Sequence, residues 1–161
     1  MDVVTAGSVS AYKRALGAYT TGVAVVTAEL AQGAAAITVN SFVSVSLEPP
    51  IVMWALANSS DRYARFAGAE RWGVSILTGA QLDLGLAFAQ KSGRRAEDSE
   101  IERWDDGPPL LKGALARFDC RTLDRHHVGD HFAIFGEVLA FDSHEGAPLL
   151  YHRAAFGKFE L

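Results

Sequence analysis

Four runs of β character follow one another between Val23 and Leu56, with only turns between them. Val23 to Thr27 is mostly β-branched, Gln32-Gly33 is a turn signal, and Ala34 to Asn40 returns, so the pair reads as a hairpin. Phe42 to Leu47 alternates, with Phe42, Ser44 and Ser46 on one face and Val43, Val45 and Leu47 on the other. Glu48-Pro49-Pro50 interrupts the chain, and Pro50, lacking an N–H, fits only at the start of the next strand. That strand, Ile51 to Leu56, is apolar throughout, the pattern of a strand buried on both faces. Parallel neighbours need long crossovers, and none separates these runs, so antiparallel pairing is predicted.

The flanks add short helices and further strands. Tyr12, Ala15, Leu16 and Tyr19 fall at helical spacing behind Ser8 or Ser10, either of which can cap the helix, and Thr20-Thr21-Gly22 ends it. Asn58-Ser59-Ser60-Asp61 is a helix-start cluster for residues 62–67, and Trp72 to Leu77 is a strand. Thr78-Gly79-Ala80-Gln81 has capping-box spacing and opens a helix through Leu82, Leu86 and Ala89. Residues 90–109 are polar and acidic, the pattern of a lid or mobile loop. Ala114 to Leu123 alternates, with Ala116, Phe118 and Cys120 on one face and Arg117, Asp119 and Arg121 on the other. A long strand from His131 to Phe141 follows the Val128-Gly129-Asp130 turn, and the aromatic tail 149–161 forms a last strand. About seven strands with three short helices between them predict a mainly β fold, an antiparallel Greek-key barrel with peripheral helices.

A chain of 161 residues, 49% hydrophobic and 21% charged, is sized for one globular domain over residues 1–161. The single Cys120 excludes an intrachain disulfide and a cysteine-cluster metal site, and its alternation with Ala116 and Phe118 makes it a small core residue. The net charge of −4 argues against nucleic acid as a partner. No apolar run nears the ~20 residues that span a bilayer, and Met1 to Gly17 lacks a signal-peptide layout, so the cytoplasm is the expected compartment and no membrane is involved. There is no GxGxxG after a strand, no GxxxxGK[ST], no GxSxG and no HExxH, so any nucleotide is held without the usual glycine fingerprint.

The most informative stretch is Ile37 to Ser46. Thr38, Asn40, Ser41, Ser44 and Ser46 place five small polar side chains in an otherwise apolar strand–turn–strand. They are either an ordinary turn with an outward sheet face, or a neutral ledge that reads the edge of a planar heterocycle through hydroxyls, an amide and backbone N–H groups. Asn58, Ser59, Ser60 and Arg62 are either plain capping residues or a phosphate site at a helix start. In Gly129-Asp130-His131 the glycine permits a tight turn, Asp130 can hold the imidazole, and His131 is either a satisfied structural histidine or a ligand contact at the barrel mouth. His126, His127 and His131 lack a supporting carboxylate or cysteine for a metal site, so no metal is expected. Arg94-Arg95 reads as a surface feature, and Phe88 and Lys91 as packing and solvated residues at a helix end.

Taken in order, TGVAVVT (21–27), ITVNSFVSVSLEPPIV (37–52), WGVSILTGAQ (72–81), LAFAQK (86–91), LKGALARFDC (111–120), GDHFAIFGEV (129–138) and PLLYHRAAF (148–156) resemble the short-chain flavin reductase family. The resemblance runs over residues 10–158 and is carried most by SFVSVSLEPP and GDH. It implies an FMN-binding split barrel of Greek-key type, a homodimer, and reduction of FMN or FAD by NADH or NADPH, with reduced flavin passed to a partner flavin-dependent monooxygenase. It implies that Thr38, Asn40, Ser41, Ser44 and Val45 line the isoalloxazine and that Asn58, Ser59, Ser60 and Arg62 lie toward the ribityl phosphate. It further implies that Phe88, Lys91, His131 and Tyr151 lie near the phosphate tail or the nicotinamide, with His131 positioning the latter. On this reading hydride moves from nicotinamide C4 to flavin N5, and the protein contributes stacking and edge hydrogen bonds. A flavoprotein that retains FMN and reduces a corrinoid or quinone, a non-enzymatic flavin carrier, and a barrel used only for protein binding are the alternatives.

Overall fold

A computed structural model describes residues 5–91 and 93–159. A 3₁₀ turn at Ala6–Ser8 leads into helix α1 (Val9–Leu16), followed by strands β1 (Thr21–Gly22), β2 (Ala24–Ala28), β3 (Ala35–Val39), β4 (Val43–Leu47) and β5 (Pro50–Ala57). Then come α2 (Tyr63–Phe66), β6 (Arg71–Ile76), a 3₁₀ turn at Gly79–Gln81, α3 (Leu82–Ala89), β7 (Ile101–Glu102) and β8 (Leu110–Leu111). The chain closes with β9 (Ala116–Val128), β10 (His131–Ser143), β11 (Leu149–His152) and β12 (Ala155–Lys158).

Seven strands form one antiparallel sheet in the order β3-β2-β6-β9-β10-β5-β4, as the absence of long crossovers predicts. The hydrogen-bonded ladder is not closed: β3 and β4 are its two edges, joined covalently through Asn40 to Phe42. The curvature lies in the packing, because Val26, Ile37, Trp54, Trp72, Cys120 and Ile134, from six strands, share one core. Trp54 meets Trp72 edge-on at 6.0 Å and Phe66 at 5.5 Å, an arrangement that aromatic quadrupoles favour. Gly136 is needed there, since a Cβ at that position would lie 2.4 Å from Trp72 Cζ2.

A second core under α3 joins Val23, Val25, Leu77, Phe88, Leu111 and Leu149. It is bridged to the small sheet β1-β11-β12 by backbone bonds from Leu77 N to Val23 O (2.9 Å), from Val23 N to Leu149 O (3.1 Å) and from Leu149 N to Leu77 O (2.9 Å). The capping-box sequence works as spaced, since Thr78 N donates to Gln81 Oε1 at 3.1 Å, but it starts with a 3₁₀ turn before α3 begins. Pro50 stands at the first position of β5, where its missing N–H costs no ladder bond.

Three expectations are corrected. Strand β5 is sealed on one face only: Val52, Trp54 and Leu56 are buried, whereas Ile51, Met53 and Ala55 are half-buried. The helix after Asn58 is a single turn, and Arg62 occupies its N-cap. Residues 93–109 are not a loose lid. Ala96 and Ile101 enter the second core, β7 pairs with β8, and the segment is laced by Arg94–Glu100, Arg103–Glu29 and Arg117–Glu102 ion pairs. Its polarity reflects charges that meet partners within the segment and in other parts of the chain.

Helix α1 is amphipathic as its spacing predicts, yet none of its residues is buried. Val9, Tyr12 and Leu16 keep about half their surface in solvent, and Tyr19, just beyond, keeps 79%.

Candidate functional site

A broad concavity lies between α1, the β3–β4 connection and the β1/β11 pair. It is a cleft of about 1130 Å³ whose walls include Tyr12, Leu16, Tyr19, Asn40, Phe42 and Tyr151. A smaller cavity of about 330 Å³ adjoins it, sharing Asn40 and Tyr151 and adding Thr38, Ala89 and Phe156. Local sequence explains the shape. β3 ends at Val39, the chain turns outward through Asn40 and Ser41, and the edge strand β4 leaves a gap that α1 roofs without filling. The walls are mainly apolar with a few polar groups, the make-up of a small-molecule site.

Of the polar ledge, Asn40 is exposed, lines both cavities and carries the amide best placed to meet a ligand edge. Two ledge hydroxyls are already engaged within the protein. Thr38 Oγ1 donates to Gly85 O at 2.7 Å, tying β3 to α3. Ser41 Oγ donates to Ala55 O (3.1 Å) and accepts from Ala55 N (3.0 Å), which fixes the turn against β5. Ser44 and Val45 sit exposed on the edge strand at a β-bulge between Ser44 and Ser46. Tyr151 stands half-buried on the cleft wall, its ring 5.2 Å from that of Phe156.

The second cluster is distributed differently from expectation. Arg62, expected toward a phosphate, is buried, with its guanidinium donating to Phe88 O (3.0 Å) and Gln90 O (2.5 Å). Desolvation pulls its pKa below the ordinary arginine value, and the two carbonyls tether the end of α3. Phe88 is fully buried in the second core with Arg94 stacked 5.0 Å over its ring, so its side chain packs rather than touching a ligand. Asn58 Nδ2 donates to Gly129 O at 3.3 Å, Ser60 Oγ accepts from Arg62 N at 3.2 Å, and Ser59 and Lys91 are exposed. This cluster therefore joins the β5–α2 turn to the β9–β10 turn. Arg94 and Arg95 are surface features as predicted, paired with Glu100 and Gln32.

His131 stands at the first position of β10, opposite Ala57 and Val128, with its side chain 45% exposed. Its Nδ1 lies 2.7 Å from Asp130 Oδ1. That hydrogen bond, reinforced by the imidazole's charge and by Lys13, holds the Asp130 carboxyl below the usual carboxylate range. A ring oriented through Nδ1 directs Nε2 away from Asp130. Lys13, which lines the main cleft, lies within Coulombic range of Asp130, but His131 itself is not among the residues that line the cleft. Among the described residues no group of three or more His, Cys, Asp or Glu is arranged to hold a metal. Cys120 is sealed in the core, where burial pushes its thiol far above the ordinary range and leaves it inert.

Sequence reasoning missed α1 as a wall of the site. The apolar stripe of Tyr12, Ala15, Leu16 and Tyr19 was legible, but it borders the cleft instead of entering a core. Thr21 was read only as a helix stop, yet it lines the cleft and its hydroxyl is out of water with no partner in the protein. A broad, mainly apolar cleft with an open amide fits a planar ring system such as a flavin.

Known proteins share this arrangement. The profile of the flavin reductase like domain matches residues 16–160. FMN reductase (NADH) SmoA of Agrobacterium fabrum is 45% identical over 148 residues, spanning 92% of this chain and 84% of that protein. The reductase component of a flavin-dependent trigonelline monooxygenase from Acinetobacter baylyi is 35% identical over 157 residues; the chain spans half the length of that relative, which in turn covers 97% of the chain. Among solved structures, the NADH:FAD oxidoreductase SgcE6 of Streptomyces globisporus, in complex with NAD and FAD fragments, matches with a TM-score of 0.89 at 27% identity, covering 99% of this chain and 98% of that one. With its antiparallel sheet, its cleft beside Asn40 and a family profile running over nearly all of its length, the chain belongs to the flavin reductase like domain family.

Proposed function

We propose that this protein is an NAD(P)H-dependent flavin reductase that reduces FMN or FAD by hydride transfer and releases the reduced flavin to a partner flavin-dependent monooxygenase. The observation that carries this reading is the mainly apolar cleft between α1 and the Asn40–Val43 turn, in a chain 45% identical to a protein named as an NADH-dependent FMN reductase. The nicotinamide and flavin supply the redox chemistry; the protein binds, orients and shields them. Asn40 and the backbone around Ser41 face the edge of the isoalloxazine, while Tyr151, Phe42 and the α1 stripe supply apolar walls. Thr38 and Ser41 hold the ledge in shape through the bonds that already engage them. Ser44, Val45, Asn58, Ser59, Ser60 and Lys91 do not line the cleft itself and have no contact with the ring on this reading. His131, steadied by Asp130, positions the nicotinamide, and no acid or base is required of it. Holding two rings at near-attack distance contributes up to about 7–11 kcal/mol.

The working form is a homodimer of one domain per chain, acting in the cytoplasm without membrane or nucleic acid. The support for dimerisation is apolar surface left open along α1 and on β4, where Leu47 is 89% exposed. No described helix is long and apolar enough to cross a membrane.

The test is a spectrophotometric assay of NADH and NADPH oxidation with FMN, FAD or riboflavin added to colourless, desalted protein. Oxidation that depends on added flavin is expected. Flavin that stays bound through desalting and is reduced without being released, or no turnover with any flavin, overturns the reading.

A further inference from the structure

Beside the main cleft, a second cavity of about 570 Å³ lies between the end of α1 and the β11–β12 turn. Lys13, Arg14 and Arg153 all line it. It adjoins the main cleft, with Lys13, Gly17 and Ala154 bordering both. The two elements are clamped at this point. Arg153 N donates to Gly17 O at 2.9 Å, and Thr20 Oγ1 lies 2.9 Å from His152 Nδ1.

These cations differ from most arginines of the molecule. Arg71, Arg94, Arg103, Arg117, Arg121 and Arg125 are each paired with a carboxylate. Lys13, Arg14 and Arg153 carry no such pair among the described residues. The carboxylate within Coulombic reach of Lys13 is Asp130, which is held by His131. The turn that presents Arg153 is also conformationally costly. Arg153 and Ala154 both have positive φ (47° and 64°) in a two-residue hairpin turn where Asn-Gly would sit without strain. An arginine kept in such a turn, lining one cavity with two other cations, calls for an anion.

We propose that Lys13, Arg14 and Arg153 form a receiving site for the phosphate groups of a dinucleotide whose redox ring occupies the adjoining cleft. The inference rests on the flavin reductase reading and adds to it where the charged half of the ligand goes. The mainly apolar cleft holds the ring, and the cationic cavity next to it holds the pyrophosphate. The expected phosphate ligand, Arg62, is engaged elsewhere, whereas these three cations line a cavity that adjoins the cleft. Both the flavin dinucleotide and the nicotinamide dinucleotide carry this group, so the chemistry recognised is the pyrophosphate itself.

ADP is the direct probe, since it has the pyrophosphate and neither redox ring. Calorimetry with ADP, FAD and riboflavin compares the wild-type protein with Lys13→Gln and with Lys13→Gln/Arg153→Asn. Asparagine tolerates the left-handed conformation, so the charge is removed without adding strain to the turn. Each lost cation is expected to weaken ADP and FAD about three- to tenfold and to flatten the salt dependence of their binding, while riboflavin affinity stays unchanged. ADP inhibition competitive with FAD places the flavin's pyrophosphate here, and inhibition competitive with NADH places the nicotinamide dinucleotide's. Unchanged ADP binding in both variants, or equal losses for riboflavin and FAD, overturns the inference. Wild-type turnover of NADH or NADPH with added flavin separates the two readings: its absence with FMN, FAD and riboflavin alike sinks the reductase assignment, whereas intact turnover with unaltered ADP binding in the variants sinks this site alone.

Discussion

The segment from Gly93 to Leu111 and helix α1 both lie outside the main sheet, and they are held in opposite ways. The 93–111 segment is polar enough in sequence to suggest a loose loop, but it buries Ala96, Ile101, Leu110 and Leu111 and is fastened by arginine–carboxylate pairs. Helix α1 has the pattern of a regular amphipathic helix, but it buries nothing and roofs a cleft. On the fastened side the polar groups find one another. On the cleft side an amide, a hydroxyl and three cations point to open space or lack protein partners. Unengaged chemistry, more than flexibility or polarity, marks the side where a ligand belongs.

Changes on the fastened side should cost stability, and changes at the cleft should cost binding. The largest effect is expected from Gly136→Ala. Its Cβ would press on Trp72, which is 1% exposed, so about 3 kcal/mol of unfolding free energy should be lost in urea titrations. A loss below about 1 kcal/mol would mean that the Trp54–Trp72 core yields more readily than its packing implies.

Arg117→Met comes next. It leaves Asp142 and Glu102 without their guanidinium partner in a partly buried site, and about 2 kcal/mol should be lost at neutral pH with FMN affinity unchanged. The acid behaviour has a definite sign. Hydrogen bonding to Arg117 holds Asp142 below its ordinary value, and Arg94 does the same for Glu100. A carboxyl depressed in the folded state adds stability above its unfolded value of about 4, and that stability disappears as pH falls through the folded value. The gap between wild type and Arg117→Met should therefore narrow as denaturation is measured from pH ~5 downward. A constant gap would show that Asp142 does not carry the pairing.

At the cleft the balance reverses. Asn40→Ala should weaken FMN about tenfold while leaving unfolding free energy within about 0.5 kcal/mol of wild type. Equal losses in both would erase the distinction between the two sides. The smallest effect is expected for His131→Ala: a rise of about three- to fivefold in the NADH KM, little change in flavin affinity, and a folded protein of wild-type stability. Unchanged steady-state constants would remove His131 from the site.

Much of the fold was legible in the chain because local rules carry it. The hairpin of β2 and β3, Pro50 at a strand start, the Thr78–Gln81 cap and the Gly129 turn each depend on neighbours in sequence. What escaped depends on partners far away. Arg62 reads as a phosphate ligand until Phe88 O and Gln90 O, 26 and 28 residues on, are seen to occupy it. The 93–109 segment reads as a lid until Arg103 meets Glu29, 74 residues back. The stripe on α1 states that the helix has an apolar face, and nothing local states whether a core or a cleft lies beneath it. The ledge itself was found by its polarity, but which of its hydroxyls stay available depends on Gly85 and Ala55 in other elements.

The engagement of Thr38 and Ser41 with the backbone has a kinetic consequence. With those hydroxyls occupied, a ring in the cleft is gripped through few directional bonds, and its dwell time is set by modest affinity. A dissociation constant near 1 μM, with ordinary association of about 10⁶ M⁻¹s⁻¹, gives a residence of about one second. For an enzyme whose product is the flavin, that brevity lets each molecule leave in time to be used elsewhere.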